Sequence, residues 1–213
     1  MDAPVIAAII TGTLAFVGPI VTYFVTKARE RSGQASAERL PDREALYEKA
    51  AALIRDGRRI LDTTWGSDPP ELHGREKTAA DRYIEAKRGA ISSSNTVYRE
   101  IFTLTNSTRR QLHYDDSKKD LAAHPNYEAR VLTGIAPTFP LIDFLIVNGE
   151  HVLLSFLSHD GVRQGYQYVY VRSPAIAEHF TEYFDECWRV AVPPMSDVAA
   201  LPPLPDAAHP HEA

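Results

Sequence analysis

Cysteine occurs once in this chain, at Cys187. A single thiol excludes an intramolecular disulfide and any zinc centre built from several thiolates, and it suits a reducing compartment. A basic excess is missing too. The sequence has 23 Lys and Arg against 28 Asp and Glu, a formal net charge of −5, so nucleic acid is not an expected partner. There is no Gly-rich phosphate loop, which removes the backbone cradle of nucleotide-binding folds. There is no Gly-x-Ser-x-Gly elbow to present a nucleophilic serine, and no internal repeat. Lysine disappears altogether after Lys119.

What is present begins with an uncharged run. Residues 4–26, PVIAAIITGTLAFVGPIVTYFVT, carry no charged side chain, and Lys27, Arg29 and Arg31 follow at once. At helical rise the run spans roughly 34 Å, enough for a hydrocarbon core of about 30 Å. It predicts a single transmembrane helix with the N-terminus outside and the C-terminal domain at the cytoplasmic face, because short basic flanks stay inside. A cleaved signal peptide is the rival. It would need a basic start, whereas the chain opens Met1-Asp2-Ala3-Pro4, and Ala35-Ser36-Ala37 lies behind a charged stretch. Pro19 is tolerated in a membrane helix. Ala7, Thr11 and Ala15 form a small-residue face on which helices can pack, or which simply meets lipid.

The rest divides by composition. Residues 27–41 are polar and read as a juxtamembrane linker, 42–192 as one cytoplasmic domain, and the Pro- and Ala-rich 193–213 as a disordered tail. Asp42 suits an N-cap, with Leu46, Ala50, Leu53 and Ile54 at helical spacing behind it. Gly57 weakens that helix, and 59–65 reads as a strand closed by Gly66-Ser67-Asp68-Pro69-Pro70. A helix over 74–92, a strand over 96–104, a polar helix over 107–123 and a strand over 127–133 follow. Leu141–Val147 and His151–Leu157 flank Asn148-Gly149, the strongest short hairpin signal, since both turn residues accept positive φ. Tyr166–Arg172 is the next strand. Ser173 as N-cap and Pro174 at the first helical position then open a helix with Ala177, Phe180, Tyr183, Phe184 and Trp188 on its apolar side. The expected fold class is α/β, one mixed sheet flanked by helices.

Two segments carry a likeness. Pro140-Leu-Ile-Asp-Phe-Leu-Ile-Val-Asn-Gly-Glu-His-Val-Leu-Leu-Ser-Phe, followed by Tyr170-Val-Arg-Ser-Pro-Ala-Ile-Ala-Glu-His-Phe-Thr-Glu-Tyr-Phe-Asp-Glu-Cys-Trp188, resembles a single phospholipase D-like repeat over Ile60–Arg189. The family's chemistry rests on His-x-Lys-x-x-x-x-Asp, in which the histidine attacks phosphorus and the lysine neutralises the phosphate. Anchored on Asn148-Gly149, that pattern puts Leu141 at the histidine, Asp143 at the lysine and Asn148 at the aspartate. No His-x-Lys occurs anywhere in the chain. His73-Gly74-Arg75 is the nearest imitation, with Asp81 one residue late. The resemblance therefore implies a phospholipase D-like module without the family's catalytic set, acting in ligand binding or regulation, and a homodimer, because single repeats of the family commonly pair. A hydrolase using another residue set, and a domain that only docks a partner protein at the membrane, stay open.

Candidate site residues come from the strand ends over which the family's cleft lies: Thr64, Trp65, Arg99, Asp143 and Ser155. Asp143 interrupts the apolar LIDFLIV. Either it faces water or it is buried with a partner, for which Arg99 is the candidate. No metal or cofactor is expected. His151, His159 and Asp160 lack ligand spacing, and His209-Pro210-His211-Glu212 sits in the tail.

Overall fold

The computed structural model describes residues 35–64, 72–103, 108–132, 142–159 and 164–194. The elements run β1 (Ser36–Leu40), α1 (Arg43–Arg55), β2 (Arg59–Thr64), α2 (Gly74–Ser92), β3 (Val97–Phe102), α3 (Thr108–Ala123), β4 (Tyr127–Val131), β5 (Asp143–Val147), β6 (His151–His159), β7 (Gln164–Arg172) and α4 (Pro174–Val190). One seven-stranded sheet takes the order β1-β7-β6-β5-β2-β3-β4. Strands β2, β3 and β4 are parallel to one another, and the remaining pairings are antiparallel. The sheet is therefore mixed and flanked by helices, as the alternation of patterns predicts.

Local chemistry explains the element ends. Asp42 Oδ1 accepts from Ala45 N at 2.8 Å and starts α1. Ser173 Oγ accepts from Ile176 N, and Pro174 opens α4. Asn148 and Gly149 hold φ of 56° and 68°, the left-handed geometry that a tight hairpin requires. Asn148 does more than turn the chain. Its Oδ1 accepts from Arg58 N (2.8 Å) and Arg59 N (3.3 Å), which ties the β5–β6 hairpin to the start of β2.

Period-two alternation splits the sheet into two faces. On one face Ile60, Tyr98, Phe102, Ala129, Leu145, Val147 and Leu153 pack with Ala50, Ala51 and Ile54 of α1 and Ala86, Ala90 and Ile91 of α2, with Leu121 of α3 against them. On the other face Leu61, Ile101, Phe144, Ile146, Val152, Leu154 and Val171 meet Ile176, Ala177, Phe184 and Cys187 of α4. Phe144 sits among Phe180, Tyr183 and Phe184, with ring centroids 5.2, 5.7 and 6.4 Å away.

Residues 36–40, read from sequence as linker, are instead an edge strand. SAERL offers no apolar alternation, but its backbone pairs with β7 from Ser36↔Arg172 to Leu40↔Tyr168, and Leu40 is buried in the core. The ladder supplies what the composition hides. At the other edge, Val192 N and O bond Val131 O and N at 2.9 and 2.7 Å, so the chain after α4 covers part of β4. Residues 4–26, expected to be the anchor, and the tail from 195 onward lie outside the described residues. Among those described, no helix is long and apolar enough to cross a membrane.

Candidate functional site

Strands β2 and β3 end, and β5 begins, at one end of the sheet, and three of the five expected residues gather there. Asp143 opens β5 opposite Ser155 of β6, and Ser155 lies opposite Tyr168 of β7. All three alternate onto the face that α1, α2 and α3 cover, and Thr64 ends β2 on that same face, two residues beyond Asp62. Tyr168 OH accepts from Arg43 Nε at 3.3 Å, and Arg43 pairs with Glu76 at 3.2 Å. Among the described residues the strip holds the half-buried Asp143, which already has a partner, and several hydroxyls, while Arg43 is engaged by Glu76.

Arg99 does not join them. It alternates with Tyr98 and Glu100 and so points to the α4 face, where its Nε lies 3.3 Å from Glu128 Oε2 and its guanidinium 5.2 Å from the Trp188 ring. Arg130 also stacks on Trp188, at 4.7 Å, while its Nη1 donates to Trp188 O. The expected Arg99–Asp143 pair is therefore absent: the two residues stand on opposite faces, with β2 between their strands. Opposite charge makes the two residues candidates for pairing, but alternation along β3 and β5 sends their side chains to different faces. Trp65 lies outside the described residues.

The most concentrated polar chemistry was not anticipated from the sequence. Beneath α2, Lys87 Nζ donates to Glu100 Oε1 (2.7 Å) and Asp62 Oδ2 (3.1 Å). Tyr98 OH donates to Asp62 Oδ2 at 2.6 Å and Tyr83 OH at 3.3 Å, while Tyr127 OH donates to Glu100 Oε2 at 2.8 Å. Asp62 is 4% exposed and Glu100 0%. Burial alone would lower the Lys87 pKa, but Glu100 and then Asp62 attract the ammonium and hold it well above its ordinary range. Burial, followed by Asp62, pushes Tyr83 and Tyr98 well up. Burial, followed by Glu100, does the same to Tyr127. These shifts favour the charged form of the lysine and the neutral form of the tyrosines. The capacity of the network is positional: it clamps α2 to β2 and β3.

A signal was available. Lys87 lies four residues after Tyr83 and beside Ala86, on the inward stripe of α2, and Asp62 and Glu100 interrupt strands whose neighbours on the same face are Ile60, Tyr98 and Phe102. Among the described residues no group of three or more His, Cys, Asp or Glu is placed to hold a metal.

No family model and no curated protein matches the sequence. Solved structures do match. Phosphatidylserine synthase from Haemophilus influenzae superposes with a TM-score of 0.50 at 13% identity, over 84% of this chain and 44% of that one. This chain thus spans less than half of that enzyme. Nuc from Salmonella typhimurium, a phospholipase D family member, gives 0.49 at 10% identity over 75% of this chain and 97% of that one. NucT from Helicobacter pylori gives 0.47 at 14% identity over 75% and 98%. At that identity the likeness to the synthase is one of fold alone.

Proposed function

We propose that this protein is a membrane-tethered, phospholipase D-like module that binds a ligand without cleaving a phosphodiester, and so acts in recognition or regulation at the cytoplasmic face. One observation carries the reading. Asp143, at the position the resemblance gives to the phosphate-neutralising lysine, shares a strip with Ser155 and Tyr168 on neighbouring strands. A carboxylate there repels the anion that the family's mechanism must bind, and no described residue nearby offers an unengaged lysine in its place. The ligand class that fits the strip is hydroxyl-rich or cationic. Residues 4–26 are the tether, by their length and their basic flank.

The test uses the full chain in detergent. Bis-p-nitrophenyl phosphate and phosphatidylcholine should be left intact, and hydrolysis of either by the purified chain, lost in Asp143→Ala, would replace this reading with that of an enzyme using its own residue set. A thermal-shift panel of polyols, polyamines, nucleotides and lipid headgroups then looks for the ligand class. At 100 times its dissociation constant a ligand adds about 2.7 kcal/mol to the folded state, or about 5–10 °C for a domain of this size. The shift should vanish in Asp143→Asn and in Ser155→Ala.

A further inference from the structure

We propose that the end of the sheet opposite the Asp143 strip docks on anionic phospholipid headgroups, with Arg55, Arg58 and Arg59 as its contact residues. The register fixes which residues share that end. Ser36 of β1 lies opposite Arg172 of β7, His151 opens β6 beside Arg172, Val147 closes β5 opposite Ile60, and Arg59 opens β2 beside Val97. Arg55 stands in the last turn of α1, and Arg58 in the short join that delivers the chain to β2. Arg55, Arg58 and Arg59 are exposed, and none of the three side chains makes an ion pair with another described residue. The carboxylates interleaved with them are Asp56 and Glu150, and Glu150 is taken up by His151 at 3.0 Å and Arg172 at 3.4 Å. Val97, 49% exposed, adds an apolar side chain to the same end. A chain of net charge −5 thus concentrates at one pole positive charge that no described residue pairs with, which orients it in the field of a negative surface.

The occupant follows from where the chain enters. Residues before Ser36 reach the fold at this pole. Fully extended, the stretch 27–35 spans at most about 30 Å, and it carries Lys27, Arg29 and Arg31 in sequence. If residues 4–26 hold the membrane, as the functional reading takes them to, the arginine pole is the part of the domain nearest the headgroups. Each arginine brought to an anionic surface favours the docked state roughly fivefold, within a screening length of about 8 Å. Docking by this pole turns the Asp143 strip away from the lipid, open to ligands from the aqueous side.

The experiment places the full chain in lipid nanodiscs with and without phosphatidylserine. In a Cys187→Ala background, Asn95→Cys puts an environment-sensitive fluorophore on the exposed turn that precedes Val97. Emission should move to the blue on phosphatidylserine discs alone and return in raised salt. Arg55→Gln, Arg58→Gln and Arg59→Gln together should abolish the movement, a change on the order of a hundredfold in the docked population, while the circular dichroism and Tm of the triple variant stay those of the parent. Equal emission on both disc types, or a shift that the triple variant retains, overturns the proposal. Retention of the shift alongside lost binding to an oligonucleotide would reassign the arginines to nucleic acid. Alkaline carbonate extraction of native membranes tests the tether separately. A chain released by carbonate would overturn the anchor reading, and flotation with phosphatidylserine vesicles would then still decide for or against the arginine pole.

Discussion

Among the described residues Lys87 is the cation that bridges Asp62 and Glu100, and its removal is an informative side-chain change. Lys87→Met deprives two buried carboxylates of the ammonium they share. Breaking a buried ionic cluster from one side costs about 3–5 kcal/mol, which urea unfolding of the variant should read as a lowered midpoint. The same cluster sets the behaviour in alkali. Lys87, Tyr83, Tyr98 and Tyr127 all have folded pKa values raised above their unfolded ones. Their contributions are complete below the unfolded values, about 10 for both residue types, and are lost as pH climbs toward the folded ones. Stability should therefore be flat with respect to these groups up to about pH 10 and fall steeply above it. The phenolate absorbance of the buried tyrosines should appear together with unfolding, not ahead of it. Early ionisation of these tyrosines in the folded chain would contradict the network. Arg99 and Asp143 make the converse case. They occupy opposite faces, so Arg99→Met and Asp143→Asn should add in unfolding free energy within about 0.5 kcal/mol, and a larger coupling in the double-mutant cycle would refute the face assignment.

At the scale of elements, β1 is the unit that composition concealed and pairing reveals. A chain beginning at Asp42 lacks the β1–β7 ladder, the Glu38–Lys49 ion pair at 3.2 Å and the buried Leu40. It uncovers five residues of β7, Tyr168–Arg172, as a new edge, a template for other strands. Light scattering on heating should show such a truncation aggregating at a lower temperature than a chain beginning at Gln34, and equal onset would mean that β1 is dispensable. The remaining elements were legible because each carries local chemistry at its ends. Asp42 and Ser173 cap helices, Pro174 starts one, and Asn148-Gly149 accepts the only backbone geometry that a tight hairpin allows. The candidate site was legible only in part. Strand position alone places Asp143 opposite Ser155 and Thr64 at the end of β2, because alternation orders residues within one strand. Lys87, Asp62 and Glu100 escaped because their meeting depends on how α2 crosses two parallel strands, and no local pattern encodes that crossing. Tyr168 escaped for the same reason: its neighbours in space come from β6 and α1.

Taken whole, the molecule has two unlike halves. Parallel β2, β3 and β4 carry the clamped helix α2 and the Lys87 network, while antiparallel β5, β6, β7 and β1 carry the Asp143 strip and end at the strand that leads back to residue 35. The polar strip and the arginines lie at opposite ends of this one sheet, so binding at one and docking at the other do not compete for the same surface. The direction of β1 has a mechanical consequence. The preceding chain enters at Ser36, so a pull drawn from that side acts along the axis of β1 and slides it against β7. It loads the rungs from Ser36↔Arg172 to Leu40↔Tyr168 together, as a seam loaded in shear, where a pull across the strand would peel them one by one.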